Sequence, residues 1–140
     1  MRSKSNGFTI LEILIMLVVL GIVAAITVPK FKTMLYQSRE GRTKTNLGDL
    51  RGALAIYYSD NFGLYPNDIG TPETRLSSVF VPKYLKAMPP VDLTHLHAAK
   101  KLTVQETLDD QGDWVYSLLS GFVGVNCTHS DTKGASVSSW

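Results

Sequence analysis

The sequence of 140 residues has one cysteine, Cys127, and no marked excess of charge of either sign. A single cysteine cannot form an intrachain disulfide, which excludes a small disulfide-stabilised secreted domain. A net charge of +2 does not indicate nucleic acid as a partner. The sequence also lacks Gly-x-Ser-x-Gly, Gly-x-x-x-x-Gly-Lys-Ser and His-Glu-x-x-His, which mark three common catalytic or phosphate-binding sites. Their absence is weak evidence against an enzyme, because a catalytic site can be assembled from residues that are far apart in the sequence.

Charge is almost missing from a long segment near the N-terminus. Residues 8–29 contain one charged side chain, Glu12, and residues 13–28 contain none. A bilayer-spanning helix needs about 20 apolar residues, and a helix lets a single segment satisfy its backbone hydrogen bonds in lipid. The sequence therefore predicts a transmembrane helix over residues 8–29.

Two other interpretations of this segment stay open on these features. Arg2 and Lys4 precede the apolar stretch, and Val23-Ala24-Ala25 resembles the cleavage site of a secretory signal peptide. Cleavage there would release a soluble protein, for example a secreted hydrolase, that begins near Ile26. The segment could also be a plain bitopic anchor that displays a binding domain. Basic residues flank both ends, so charge does not decide the orientation.

Glu12 is unusual because a carboxylate within a spanning helix costs roughly 2.5–3.5 kcal/mol and usually has a partner. Thr9-x-x-Glu12 matches a capping box, which would leave Glu12 at the lipid headgroups. Alternatively, cleavage after Gly7 would create an amino group on Phe8 that could neutralise Glu12 in the same or a neighbouring chain. A pair between chains would fix their register and give Glu12 a role in assembly.

The run Gly7-Phe8-Thr9-Ile10-Leu11-Glu12, between a short basic leader and a long apolar helix, resembles the class III signal of type IV pilins and of type II secretion pseudopilins. The resemblance implies that a membrane peptidase removes the leader, residues 1–7, and N-methylates Phe8. It also implies that Phe8 and Glu12 act in assembly and that the N-terminus is cytoplasmic.

Gly21 and Pro29 stand where this family has a glycine and a proline in the first half of the helix. Glycine costs about 1 kcal/mol in a helix interior, and proline removes a backbone donor. The two residues therefore predict the part of the helix that stretches most easily. An ordinary proline kink is equally compatible with the sequence.

Residues 30–62 are expected to continue as an amphipathic helix. Leu47, Leu50, Leu54 and Tyr57 repeat at spacings of three and four, which predicts a buried stripe. Residues 37–46 are almost without apolar side chains and are expected to face solvent or other subunits. Gly63-Leu64-Tyr65-Pro66-Asn67 ends the helix.

Residues 63–140 are expected to form a globular α/β head. The pattern predicts a short helix over residues 73–80 and two strands, at 113–118 and 122–126, joined by a turn at Ser120-Gly121. The resemblance implies the α+β class of the type IV pilin fold, in which a long N-terminal helix packs on a small antiparallel sheet. The head resembles that of a major pseudopilin but lacks the Asp-Pro-Trp-Gly run of that group, so pilus and pseudopilus both stay open.

Two groups of residues are candidate metal ligands. Asp109, Asp110 and Asp113 form an oxygen-rich cluster that could bind calcium, although a solvated acidic turn fits as well. His95-x-His97 would place both rings on one face of a strand, and Cys127-x-His129 is a second pair. Neither pair has further ligands at a recognised spacing, so calcium is the metal predicted and no cofactor is required.

The resemblance implies a structural subunit of a type IV pilus or a type II secretion pseudopilus, used for adhesion, motility, DNA uptake or protein export. The implied partners are other copies of the chain, a prepilin peptidase and methylase, an inner-membrane assembly platform and minor pilins or pseudopilins. The chain would cross the inner membrane once before assembly and lie in a periplasmic or extracellular filament afterwards. The alternative function is a bitopic anchor for a binding domain that does not polymerise.

Overall fold

The computed structural model describes residues 7–67, 70–71 and 74–140. Its elements in chain order are helix α1 (Ile10–Asp60), helix α2 (Ser77–Phe80), strands β1 (Val104–Gln105), β2 (Trp114–Tyr116) and β3 (Val123–Val125), and a 3-10 turn (Val137–Ser139). The described residues fall into two compact units that divide between Leu35 and Tyr36. A long N-terminal helix and a small C-terminal sheet confirm the predicted α+β class.

The first unit has no core of its own among its described residues, because every one of them is exposed to solvent. The exposed side chains include large apolar ones such as Leu17, Ile22 and Ile26. By length and composition, α1 could cross a membrane, and the apolar window that qualifies it is not buried within the chain. Apolar surface of this extent is stabilised by lipid or by other protein chains.

The second unit begins with the rest of α1, whose apolar stripe is buried as predicted. Leu47, Leu50 and Leu54 are buried, and Tyr57 packs against them while partly exposed. The expectation that residues 37–46 face solvent is wrong for two side chains, since Glu40 and Thr43 are also buried. Both have polar partners in the head, which satisfy their hydrogen-bonding groups and make their burial possible.

Helix α1 ends at Asp60, close to the predicted end at residue 62. Phe62 and Gly63 both have positive φ, of 55° and 81°, which turns the chain out of the helix. The backbone N–H of Gly63 donates to the carbonyl oxygen of Tyr58 at 2.9 Å and so satisfies an acceptor of the last turn.

The described sheet has three strands in the order β1-β2-β3, and it is mixed rather than antiparallel throughout. Strands β2 and β3 form the predicted antiparallel hairpin, with Trp114 opposite Val125. Strand β1 pairs parallel to β2, with Val104 opposite Trp114, which corrects the antiparallel prediction. The chain returns through the β1–β2 loop, in which Asp110 and Gly112 have positive φ of 61° and 73°, and enters β2 in the direction of β1.

The two predicted strands and the predicted short helix are present but shorter than predicted. The strands predicted at 113–118 and 122–126 are three residues each, and the helix predicted at 73–80 is confirmed over Ser77–Phe80. Glu73, at the start of that prediction, lies outside the described residues. Strand β1 has two residues, which is too short for alternation of polar and apolar side chains to reveal it.

Polar atoms of the aromatic core residues reach backbone carbonyls. The Trp114 indole N–H donates to the carbonyl oxygen of Pro89 at 2.8 Å, and the Tyr116 hydroxyl donates to that of Pro66 at 2.7 Å. Burial raises the pKa of Tyr116 to about 12, so this hydroxyl stays a donor at any physiological pH. These bonds hold the loops that precede the sheet against the core.

Candidate functional site

The start of α1 presents an unpartnered carboxylate. The backbone N–H of Glu12 donates to the hydroxyl oxygen of Thr9 at 3.3 Å, which confirms the Thr9 half of the predicted capping box. The Glu12 side chain is exposed and has no hydrogen bond or ion pair among the described residues. Phe8 is 64 % exposed. The carboxylate of Glu12 and the site of the predicted new amine are thus both available to a partner outside the chain.

The predicted cleavage point lies at the edge of the described chain. Gly7 and Phe8 are described and exposed, whereas the rest of the predicted leader, residues 1–6, lies outside the described residues. Cleavage between Gly7 and Phe8, and methylation of Phe8, therefore stay predictions.

Gly21 and Pro29 both lie within α1, which is helical through each of them. No atom outside the local helix backbone lies within 4 Å of a Cβ placed at Gly21. The Thr33 hydroxyl donates to the carbonyl oxygen of Pro29 at 3.3 Å. The easier stretching of this part of the helix stays a prediction.

The three predicted calcium ligands are divided between two environments. Asp109 and Asp113 both accept hydrogen bonds from the side-chain amide of Asn126, at 2.5 and 2.7 Å. Asp110 instead accepts the backbone N–H of Thr128 at 2.6 Å. A cation bound by all three carboxylates would have to displace the Asn126 amide, so calcium stays a prediction that this arrangement does not support.

A different group of potential ligands meets at one corner of the head, and we call it the corner cluster: His97, Asp110, Cys127 and His129. One ligand atom from each residue lies within 4.8 Å of the others. His97 follows a turn stabilised by a hydrogen bond from its backbone N–H to Leu93, Asp110 lies in the β1–β2 loop, and Cys127 and His129 follow β3. The sequence analysis predicted Cys127 and His129 as a pair of metal ligands, but it grouped His97 and Asp110 with other residues.

The pairing of His95 with His97 is wrong, because residues 94–99 form turns and bends rather than a strand. His95 lies elsewhere, with its Nε2 3.1 Å from a carboxylate oxygen of Glu40 and its ring stacked on Tyr36 at 4.8 Å between centroids. The alternation that would place both rings on one face applies only to an extended chain.

Three side chains of the corner cluster, those of His97, Asp110 and Cys127, have pKa values that are shifted by burial and hydrogen bonding. Burial lowers the pKa of His97 and favours the neutral imidazole. The Thr128 backbone N–H lowers the pKa of Asp110, which stays an anion. Burial raises the pKa of the Cys127 thiol. The cluster therefore contains a neutral imidazole and a carboxylate beside an undissociated thiol at neutral pH.

Comparison with known proteins identifies the N-terminal part of the chain. The family described as "Prokaryotic N-terminal methylation motif" matches residues 2–28, which include Gly7, Phe8, Glu12 and Gly21. The major pilin protein PilA of the type IV system of Myxococcus xanthus is 35 % identical over 71 residues, 49 % of this chain and 32 % of its own length. The N-terminal part of the chain therefore carries a prokaryotic methylation motif and is similar to the same part of a type IV pilin.

Two further relatives of this pilin-like chain come from different systems. The fimbrial protein EcpC of Eikenella corrodens is 32 % identical over 68 residues, 49 % of this chain and 44 % of its own length. The type II secretion system core protein G of Pseudomonas aeruginosa is 36 % identical over 66 residues, 47 % of this chain and 46 % of its own length. The chain thus spans about a third to a half of the relatives it matches, and no solved structure matches it.

Proposed function

We propose that this chain is a structural subunit that polymerises through α1 into a helical filament, either a type IV pilus or a type II secretion pseudopilus. The observation that carries the proposal is a methylation motif at the start of a helix whose apolar side chains are exposed as far as Leu35. Lipid would cover this surface before assembly, and the same helices of other copies would cover it afterwards. The filament would act in adhesion, motility, DNA uptake or protein export, and the subunit would need neither enzymatic activity nor a cofactor.

The second unit supports this proposal because it has a core that α1 shares. Leu50, Trp114 and Tyr116 are fully buried within it. A head that folds around the second part of α1 leaves the first part available for contacts with other copies. The chemistry proposed for the N-terminus is cleavage of the Gly7–Phe8 peptide bond by a prepilin peptidase, followed by methylation of the new amine.

The intact mass and N-terminal sequence of the protein from native membranes test the processing. We expect residues 8–140, beginning with Phe8 and heavier by one methyl group. A mature protein that begins with Met1 would favour a plain bitopic anchor. A soluble product that begins near Ile26 would remove Glu12 and contradict the proposal altogether.

The assembly role of Glu12 is an attraction between its carboxylate and the Phe8 amine of a neighbouring copy. In an apolar environment this pair would be worth more than the same pair in water. Glu12→Gln keeps the size and removes the charge, so we expect a subunit that is processed and inserted in the membrane but that forms no filaments. Electron microscopy of sheared filaments and membrane fractionation measure both outcomes.

Asp49→Asn is the matched control, since Asp49 is an exposed carboxylate on the same helix. We expect it to assemble normally. Normal filaments from Glu12→Gln would show that the pair is not needed for assembly, and filaments lost equally in both variants would indicate a general effect of charge.

The remaining partners and the location follow from the same proposal. The subunit would cross the inner membrane once, with its head outside the cytoplasm, and would be extracted by an assembly platform together with minor pilins or pseudopilins. Crosslinks between copies through the exposed part of α1 are expected in assembled material. An anchor that does not polymerise would give crosslinks to lipid or to unrelated proteins only.

A further inference from the structure

The corner cluster joins three segments of the head that are far apart in sequence. His97 precedes β1, Asp110 lies between β1 and β2, and Cys127 with His129 follows β3. The four ligand types are an imidazole, a carboxylate, a thiol and a second imidazole. Two imidazoles and a thiolate are the donors that proteins use for zinc and related transition metals, whereas calcium and magnesium prefer oxygen donors alone.

Three distances between the ligand atoms are close to those of a tetrahedral site, and all four atoms lie within 4.8 Å of one another. Bond lengths of about 2.0–2.3 Å to zinc place neighbouring ligand atoms roughly 3.3–3.8 Å apart in a tetrahedron. The Cys127 Sγ lies 3.7 Å from His129 Nδ1, and that nitrogen lies 3.4 Å from Asp110 Oδ1. His97 Nε2 lies 3.9 Å from the same oxygen. These three separations are close to the edges of the expected tetrahedron.

An independent observation is the unsatisfied Nε2 of His97. The side chain is 10 % exposed, and this nitrogen is buried without a hydrogen-bond partner among the described residues. Its distance of 3.9 Å from Asp110 is too long for a hydrogen bond. A buried polar atom without a partner is destabilising, and a metal ion among the four ligand atoms would supply the missing partner.

The backbone around the cluster holds the ligands in place. The Thr128 backbone N–H donates to Asp110 Oδ1 at 2.6 Å, which orients the carboxylate. The His97 ring packs where a side chain at Gly112 would otherwise lie, because a Cβ at that position would overlap the ring. The His129 side chain is 47 % exposed, so an ion can reach the cluster from solvent.

We propose that the corner cluster binds one divalent transition-metal ion, with Zn²⁺ the best match, in a tetrahedral site. Cys127 binds as a thiolate and releases its proton to solvent. The ion links the turn before β1, the β1–β2 loop and the segment after β3, and it stabilises the head. This inference does not depend on filament assembly, since every ligand lies in the second unit.

Titration of the full-length chain in detergent micelles, after treatment with a chelator, tests the proposal. Co²⁺ serves as the spectroscopic probe, and competition with a zinc-binding dye gives the affinity for Zn²⁺. We expect one metal ion per chain, the visible bands of tetrahedral Co²⁺, and a thiolate-to-cobalt charge-transfer band that Cys127→Ser abolishes. No binding, or binding of Ca²⁺ in place of both transition metals, would overturn the proposal.

His129→Gln and His95→Gln form the decisive pair of variants. His129 is partly exposed, so its replacement should leave the head folded, as circular dichroism will verify. We expect His129→Gln to weaken Zn²⁺ binding by more than about 100-fold, beyond the 10–100-fold typical of residues that only support a ligand. His95→Gln, two residues from His97 but bonded to Glu40, should keep the wild-type affinity. Equal affinities in both variants would contradict the assignment.

Discussion

The Lys44 ammonium group on α1 lies 3.2 Å from a carboxylate oxygen of Asp131 in the C-terminal segment. The same ammonium group lies 4.1 Å from the centre of the Trp140 ring, whose indole N–H donates to the same carboxylate oxygen at 3.2 Å. A second oxygen of Asp131 accepts backbone N–H groups of Lys133 and Ala135, both at 2.9 Å. Asp131 therefore links the C-terminal segment of the chain to helix α1.

Asp131→Asn is expected to lower the free energy of unfolding at neutral pH. Burial acts to raise the pKa of Asp131, but hydrogen bonds from Ala135, Lys133 and Lys44 outweigh it and lower the pKa from 3.8 to about 2. Because the folded state has the lower pKa, ionised Asp131 stabilises the head above pH 4, and this contribution disappears as the pH falls towards 2. Urea denaturation of both proteins at pH 7 and pH 2.5, followed by circular dichroism, should show a difference that narrows in acid. A difference that is constant with pH would mean that the charge contributes nothing.

Glu40→Gln should destabilise the head although it preserves the shape of the side chain. Glu40 is buried, and its carboxylate accepts the backbone N–H and the hydroxyl of Thr132 at 2.9 and 2.6 Å, beside His95. An amide can accept through one atom only, and hydrogen bonds to a charged group contribute about 1.5–3 kcal/mol. Thermal unfolding should show the loss, whereas the exposed Asp49→Asn on the same helix should unfold like the wild type. Equal stability of all three would remove the proposed role of Glu40.

Asn126→Asp should disrupt the β1–β2 loop. The Asn126 amide donates to Asp109 and Asp113, and its carbonyl oxygen accepts the backbone N–H groups of Asp109 and Asp110, both at 2.9 Å. A carboxylate here would remove both donors and add a third negative charge to a buried site, at a cost of at least about 2 kcal/mol. Urea denaturation at neutral pH, followed by circular dichroism, measures the loss, and an unchanged stability would contradict the proposed role of Asn126. Asn67→Asp, at an exposed position, supplies the control.

Gly112→Ala is expected to displace the His97 ring, and Gly134→Ala separates this effect from backbone strain. Both glycines have positive φ, 73° and 85°, so each alanine suffers the same left-handed penalty of about 1–2 kcal/mol. A Cβ at Gly112 would overlap His97, whereas nothing lies within 4 Å of one at Gly134. Gly112→Ala should therefore unfold at the lower temperature of the two and bind Zn²⁺ more weakly. Identical behaviour of both variants would show that the ring adapts.

Periodicity and apolar runs predicted the helical part of the fold well. The stripe from Leu47 to Tyr57 and the exposed apolar segment before it are signals that depend on near neighbours in sequence. The β2–β3 hairpin could also be predicted from the sequence, because the alternation of side chains in β2 and the turn before β3 depend on residues that are close in sequence. Strand β1 was missed since its two residues acquire their conformation from the β2 strand beside them.

Only two of the four residues of the corner cluster could be predicted from the sequence to lie together. Cys127-x-His129 is a local pair, but His97 and Asp110 join it through the path of two loops, which no spacing encodes. His95-x-His97 suggested a different pair because it was interpreted as a strand. The calcium prediction grouped Asp109, Asp110 and Asp113 by proximity in sequence. In the structure Asn126, directly after β3, bonds Asp109 and Asp113 together and leaves Asp110 apart.

The division of the described chain between Leu35 and Tyr36 bears on how such a protein can evolve. The described residues before it are exposed, so substitutions there change the contacts of the helix with its surroundings rather than the packing of a core. Residues after it must remain compatible with a shared core that includes Leu50 and Trp114. The two units therefore meet different physical constraints, which are the surroundings of the helix for the described residues before the division and the packing of the head for those after it.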